Sequence, residues 1–69
     1  MVTVKFWDVN KFNCHVNDSE MKFDSLDEAM KSLRKAGYRS CGCLDMWAGE
    51  YKGTNSCIKY CEAIIFEID

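Results

Sequence analysis

The stretch Asp24–Gly37, DSLDEAMKSLRKAG, limits what this chain can fold into more than any other, because it alone carries a full set of helix signals. Ser25 and Glu28 form an S-x-x-E capping box. In it the Ser25 hydroxyl accepts the Glu28 N–H and the Glu28 carboxylate returns to the Ser25 N–H. Losing such a cap costs about 1 kcal/mol. Leu26, Ala29, Met30, Leu33 and Ala36 follow at helical spacing as one apolar stripe. Gly37 stands where a left-handed C-terminal cap is wanted. Asp24, Asp27 and Glu28 open the helix, and Arg34 and Lys35 close it, so both ends suit the helix dipole. A stripe this narrow covers one face of something else.

The rest of the chain reads as that something. With 69 residues there is room for a single domain, 1–69, whose core is small. A hydrophobic fraction of 48% argues against disorder. No apolar run approaches the ~18 residues of a membrane span, so no membrane association is expected. Met-Val-Thr-Val-Lys shows no signal-peptide pattern, which makes a cytoplasmic location, with reduced thiols, the expectation.

Val2, Val4 and Phe6 alternate with Thr3, Lys5 and Trp7, as in a half-buried strand. Asn10-Lys11 can turn the chain, after which Phe12, Cys14 and Val16 alternate against Asn13 and His15; one long bent strand running to Val16 is the alternative. Asn17-Asp18-Ser19 reads as a turn, and Glu20–Phe23 as a short strand before the helix. Beyond the helix, Tyr38–Trp47 is extended in character, with Gly42 marking a bulge. Ala48-Gly49-Glu50 reads as a hairpin turn and Lys52–Asn55 as a loop or second turn. Cys57, Ile58, Cys61, Ile65 and Ile68 fit a helical stripe, but the β-branched and aromatic run Ala63–Ile68 favours a strand with a bulge near Glu62. The sum is β-β-α-β-β: an α+β two-layer domain, with an antiparallel sheet of about four strands under one helix.

Five cysteines are the first candidates for chemistry: Cys14, Cys41, Cys43, Cys57 and Cys61. Cys41 and Cys43 share a strand face, as do Cys57 and Cys61, so pairing of the two strands would bring four sulfurs together as a zinc site. C-x-C on a flat strand is a poor chelate, however, and buried thiols acting as small core residues are the plainer reading. Zinc therefore stands as the alternative, with no cofactor as the main expectation. His15 adjoins Cys14, but neighbours on a strand face opposite ways, so the two do not make a nucleophile–base pair. The chain holds no phosphate-binding glycine loop, H-E-x-x-H or G-x-S-x-G, and enzymatic activity is not expected.

Trp7, Trp47 and Tyr51 are candidate interface anchors. If the helix covers the Val4/Phe6 face, Trp7 lies on the other, open face; packing of Trp7 under a loop or against the final strand is the competing reading. The net charge of −2 is too small to imply a nucleic-acid partner, and direct nucleic-acid binding is not expected. The charge is polarised instead. Asp18, Glu20, Asp24, Asp27 and Glu28 cluster before and at the helix start, and Lys31, Arg34, Lys35 and Arg39 at its end. Dipole complementarity and solubility are the plainer account of this pattern; an electrostatic docking surface is the sharper alternative.

The stretch from Phe6-Trp7 through Ala29 resembles the small RNA-polymerase inhibitors of lytic coliphages, which also carry Phe-Trp on the first strand and a Leu-Asp-Glu-Ala helix opening, here Leu26-Asp27-Glu28-Ala29. The strand–turn–strand–helix start is likewise similar to some small anti-CRISPR proteins. The likeness spans about a third of the chain; the half from Arg39 onward has no counterpart, and the family's inhibitory residues are not carried over. What the resemblance implies is a phage or mobile-element inhibitor that binds and blocks a host nucleic-acid-handling or defence complex. The expected partner is thus a host protein complex, contacted through Trp7, Trp47, Tyr51 and the acidic group. A homodimer through the edge of an apolar final strand is compatible with this reading.

Overall fold

The computed structural model describes residues 1–42 and 45–68. Among these, one helix and five strands follow in the order β1 (Val2–Asn10), β2 (His15–Phe23), α1 (Leu26–Lys35), β3 (Arg39–Ser40), β4 (Met46–Glu50) and β5 (Ile58–Ile68). The strands form one sheet in the order β2-β1-β5-β4-β3, antiparallel at every pairing. The α+β, β-β-α-β-β layout is the expected one, with five strands rather than four. The added strand arises because the segment expected to be extended from Tyr38 to Trp47 folds back on itself. Cys41 N–H donates to the Met46 carbonyl at 3.0 Å, and β3 pairs with β4. Gly42, at φ +77°, stands in the turn between them and marks no bulge.

The helix is shorter than the stretch that announces it, and its caps explain why. The Ser25 hydroxyl accepts the Glu28 N–H at 3.2 Å, and Ser25 itself is extended. At the other end Gly37 adopts φ +95°, its N–H reaching the Arg34 carbonyl and the Tyr38 N–H the Leu33 carbonyl. This is a Schellman closure, with Tyr38 returned over the core residue Leu33. Of the apolar stripe, Ala29 and Leu33 are buried and Met30 is half-buried, while Leu26 and Ala36 are exposed.

Alternation along the strands decides the two faces of the sheet. Val2, Val4, Trp47, Ala63 and Ile65 meet Ala29 and Leu33 in the core, and Phe6, Phe23, Met30 and Tyr38 close its margin. Lys5, Trp7 and Val9 of β1 therefore point away from the helix, beside Ile64, Glu62 and Tyr60, their cross-strand partners on β5. Val9 is nonetheless buried, flanked by His15 on β2 and Tyr60 on β5.

Two expected turns prove to be strand, whereas those at Asn10-Lys11 and Lys52–Asn55 form. Asn17-Asp18-Ser19 is no turn. β2 runs through it, and Asn17, at φ +57°, takes up a bulge opposite Trp7. The β1–β2 hairpin closes instead at residues 11–14, where the Asn10 side-chain carbonyl accepts the N–H groups of Phe12 and Cys14, each at 2.9 Å. The second strand accordingly starts at His15, not Phe12, and Glu20–Phe23 is its end rather than a separate strand. Ala48-Gly49-Glu50 also lies within a strand. The chain reverses after it, between Tyr51 and Cys57. Residues 58–68 resolve as a strand, with pairing irregular near its two ends rather than at Glu62.

β5 lies between β1 and β4, so the expected route to a homodimer through its free edge is closed. Charged residues such as Asp18, Glu20 and Lys22, and the Asn17 bulge, occupy the free edge strand β2, and all of these discourage pairing with another chain. No helix among the described residues is long and apolar enough to cross a membrane.

Candidate binding surface on the open sheet face

Trp7 sits where the bulge in β2 widens the sheet. Its indole stacks on the His15 imidazole, with centroids 4.8 Å apart and 21° between planes. The indole N–H donates to Glu62 Oε1 at 3.0 Å, and His15 Nε2 approaches the same oxygen at 3.6 Å. Three strands thus supply one platform: β1 the indole, β2 the imidazole and β5 the carboxylate that holds the indole. The Glu62 side chain is only 18% exposed, whereas that of His15 is 56% exposed, so the imidazole is the accessible member. A groove of about 450 Å³ runs beside the platform, lined by Lys5, Trp7, His15, Asp18, Ser19 and Glu20. Lys5 is drawn off over the Phe66 ring, its Nζ 3.7 Å from the ring centroid. Phe66 itself is 55% exposed on the same face.

Asp18, Glu20, Asp24, Asp27 and Glu28 are all exposed, and their carboxylates make no ion pair or hydrogen bond with any described residue. Two of them, Asp18 and Glu20, border the Trp7 groove; Asp27 and Glu28 lie in the first turn of α1. Asp18 and Glu20 thus stand beside the aromatic platform on the open face, whereas Asp27 and Glu28 belong to the helix that covers the other face.

Trp47 and Tyr51 leave the candidate set. Pairing of Trp47 with Ala63 puts it on the helix side, where it is 4% exposed with the Arg34 guanidinium 5.7 Å from its ring. Its indole N–H is buried without a partner among the described residues. Tyr51 organises the loop before β5. Its hydroxyl accepts the Asn55 N–H at 3.2 Å, and a Cβ on Gly53 would collide with it.

The cysteines among the described residues do not converge. Cys41 lies in the turn beside Met46, which pairs with Ile64, whereas Cys57 precedes β5 at its opposite end, roughly 20 Å away along the strand. Cys61 faces the helix side, and Cys43 lies outside the described residues. No three His, Cys, Asp or Glu side chains among the described residues are placed to hold a metal ion.

A polar cluster that the sequence does not announce occupies the helix side beyond the end of α1. The Cys61 thiol donates to Asp8 Oδ1 at 3.1 Å, and Asn17 Nδ2 donates to Asp8 Oδ2 at 3.0 Å. Tyr38 roofs the cluster, lying edge-on to Phe6 and flat against Gly49, where a Cβ would come within 2.9 Å of its ring. Burial, then the hydrogen bond and charge of Asp8, push the Cys61 thiol up to about 11. Burial, followed by the neighbouring Cys61 and Asp8, raises the Tyr38 phenol as well. A thiol held protonated in this way is a poor nucleophile at neutral pH. These contacts join positions up to 53 apart in sequence, which is why alternation alone gave no sign of them.

Comparison with protein-family models, with curated proteins and with solved structures yields no match.

Proposed function

We propose that this chain is a non-enzymatic binding protein that acts by contact with a partner protein complex, using the open sheet face around Trp7. The observation that carries the reading is the Trp7–His15–Glu62 platform, a stacked aromatic pair on a sheet face that the helix leaves uncovered and that the exposed carboxylates of Asp18 and Glu20 border. Aromatic anchors ringed by polar residues are the usual energetic centres of protein interfaces. Inhibition of a host nucleic-acid-handling or defence complex, of the phage or anti-CRISPR kind, is the biological role we attach to this surface, on the strength of the Phe6-Trp7 and Leu26–Ala29 resemblance. Such a role works by occlusion and calls for no catalytic centre.

The test is affinity capture from bacterial lysate with tagged wild-type protein and with Trp7→Ala, both first shown to be folded by circular dichroism. A stoichiometric partner retained by the wild type and lost with Trp7→Ala is the expected result. Capture of nothing, or of a partner indifferent to Trp7, would remove the basis for the reading.

A further inference from the structure

The groove beside Trp7 has a chemistry that selects among partners. Its wall is a stacked aromatic pair, its rim carries the Asp18 and Glu20 carboxylates, which have no partner among the described residues, and its one lysine, Lys5, opposite Glu20, extends over Phe66. Glu62 adds a third carboxylate at the back of the platform, bonded to the indole N–H. An aromatic face with anionic flanks attracts a cation that can lie flat against a ring while donating to carboxylates. A phosphate backbone would meet Asp18 and Glu20 as like charges.

We infer that this groove seats an arginine side chain of the partner protein, its guanidinium stacked on the Trp7–His15 platform and its N–H groups directed at Asp18 and Glu20. This assignment rests on the proposal that Trp7 is the centre of a protein-binding face. Arginine fits better than lysine for two reasons. Its guanidinium is planar, so it stacks, and its fork of donors matches two carboxylates at once. An ammonium is a strongly hydrated point charge that gains less from the ring. The occupant is thus a basic protein segment that presents arginine, and the bulk of the binding face around the groove would supply the remaining contact.

Two-dimensional NMR of the intact ¹⁵N-labelled chain tests this, with the Trp7 indole N–H as reporter. The probe is the peptide acetyl-Gly-Arg-Gly-Arg-Gly-amide at low salt, titrated to about 50 mM, because one stacked cation and two exposed charge pairs support a Kd on the order of 10 mM. A saturable shift of the Trp7 indole signal is expected, weakened by added salt. Replacing the arginines by lysine should weaken binding several-fold, and replacing them by glutamate should abolish it. The double variant Asp18→Asn, Glu20→Gln alters only exposed side chains, and binds the arginine peptide about 3- to 10-fold more weakly if both carboxylates take part.

Several results overturn the assignment: no shift with the arginine peptide, equal binding of the lysine and arginine peptides, or a double variant that titrates like the wild type. A single-stranded oligonucleotide that moves the Trp7 signal where the arginine peptide does not would also overturn it, in favour of a nucleic-acid partner. The broader binding reading fails separately. A partner captured through Trp7 whose capture is unaffected in the Asp18→Asn, Glu20→Gln variant leaves that reading standing and removes arginine from it.

Discussion

The Cys61–Asp8–Tyr38 cluster makes a prediction sharp enough to test the packing of the helix side directly. An ordinary thiol at 9.0 is about one-tenth thiolate at about pH 8, whereas one pushed up to about 11 is about one-thousandth thiolate, a deficit of ~100-fold. The more basic thiolate is the better nucleophile, and a Brønsted slope of about 0.4–0.5 over that shift returns roughly 8-fold. Cys61 should therefore exchange with a small aromatic disulfide about 10-fold more slowly than an ordinary thiol at about pH 8, before any steric protection by Tyr38 is counted. The assay is timed exchange with mass-spectrometric mapping, using the exposed Cys14, Cys41 and Cys57 as internal references. The Cys61 rate should go on rising past about pH 10, where an ordinary thiol has levelled off. Asp8→Asn removes the charge that helps raise the thiol but keeps an amide oxygen that can accept from it, and leaves burial, the largest cause, in place. Its inflection should fall and still lie above 9.0. Wild-type exchange at the reference rate with an inflection near 9.0, or an inflection unmoved by Asp8→Asn, would refute the reasoning.

Further expectations concern stability. Gly49→Ala would place a Cβ 2.9 Å from Tyr38 Cδ1 and 3.2 Å from Cγ and Cε1, so the ring must shift as a body. A loss of about 1–3 kcal/mol is expected, read as a thermal midpoint lower by about 4–8 °C per kcal/mol. Leu33→Ala empties one of the two largest fully buried side chains and should cost about 2–5 kcal/mol, a large share of the total for a domain of this size; urea unfolding should show the midpoint fall with little change in slope. Alkali should also weaken the fold through Cys61 and Tyr38. Both are raised in the folded state, so the unfolded chain releases its protons first as pH climbs. The contribution is complete below the ordinary values of 9.0 and 10.0 and is lost as pH rises through about 11 for Cys61. Thermal melts of wild type and a Cys61→Ser, Tyr38→Phe variant across that window should converge as pH rises.

Some of this molecule was legible because the signal was local. The capping box at Ser25, the glycine at position 37 and the apolar spacing between them lie within one stretch of chain, so they locate α1 without reference to anything else. The alternation in Val2–Trp7 likewise assigned β1 its two faces, with Val4 and Phe6 on one and Trp7 on the other. The acidic residues before and within the helix start remain exposed in the fold, as their charge requires.

The rest depended on which strand lies next to which. Asn17-Asp18-Ser19 has the composition of a turn, but Asn tolerates a left-handed backbone, and a bulge in a continuing strand uses that tolerance as well as a turn does. Gly49 reads as a turn residue, yet it is a strand position kept bare for the Tyr38 ring. Trp47 and Trp7 look alike as exposed aromatics until register with β5 sends one into the core and the other to the open face. His15 gains its role only because the hairpin lays it against Trp7, and Cys61 gains its own only from Asp8, across a pairing that closes late in the chain. The sequence by itself determined the helix, its caps, the first strand's two faces and the polarity of charge, since these follow from neighbours along the chain. Strand order and register decided the aromatic platform, the shielded thiol and the fate of each tryptophan, because side chains distant in sequence acquire their surroundings only when the sheet assembles.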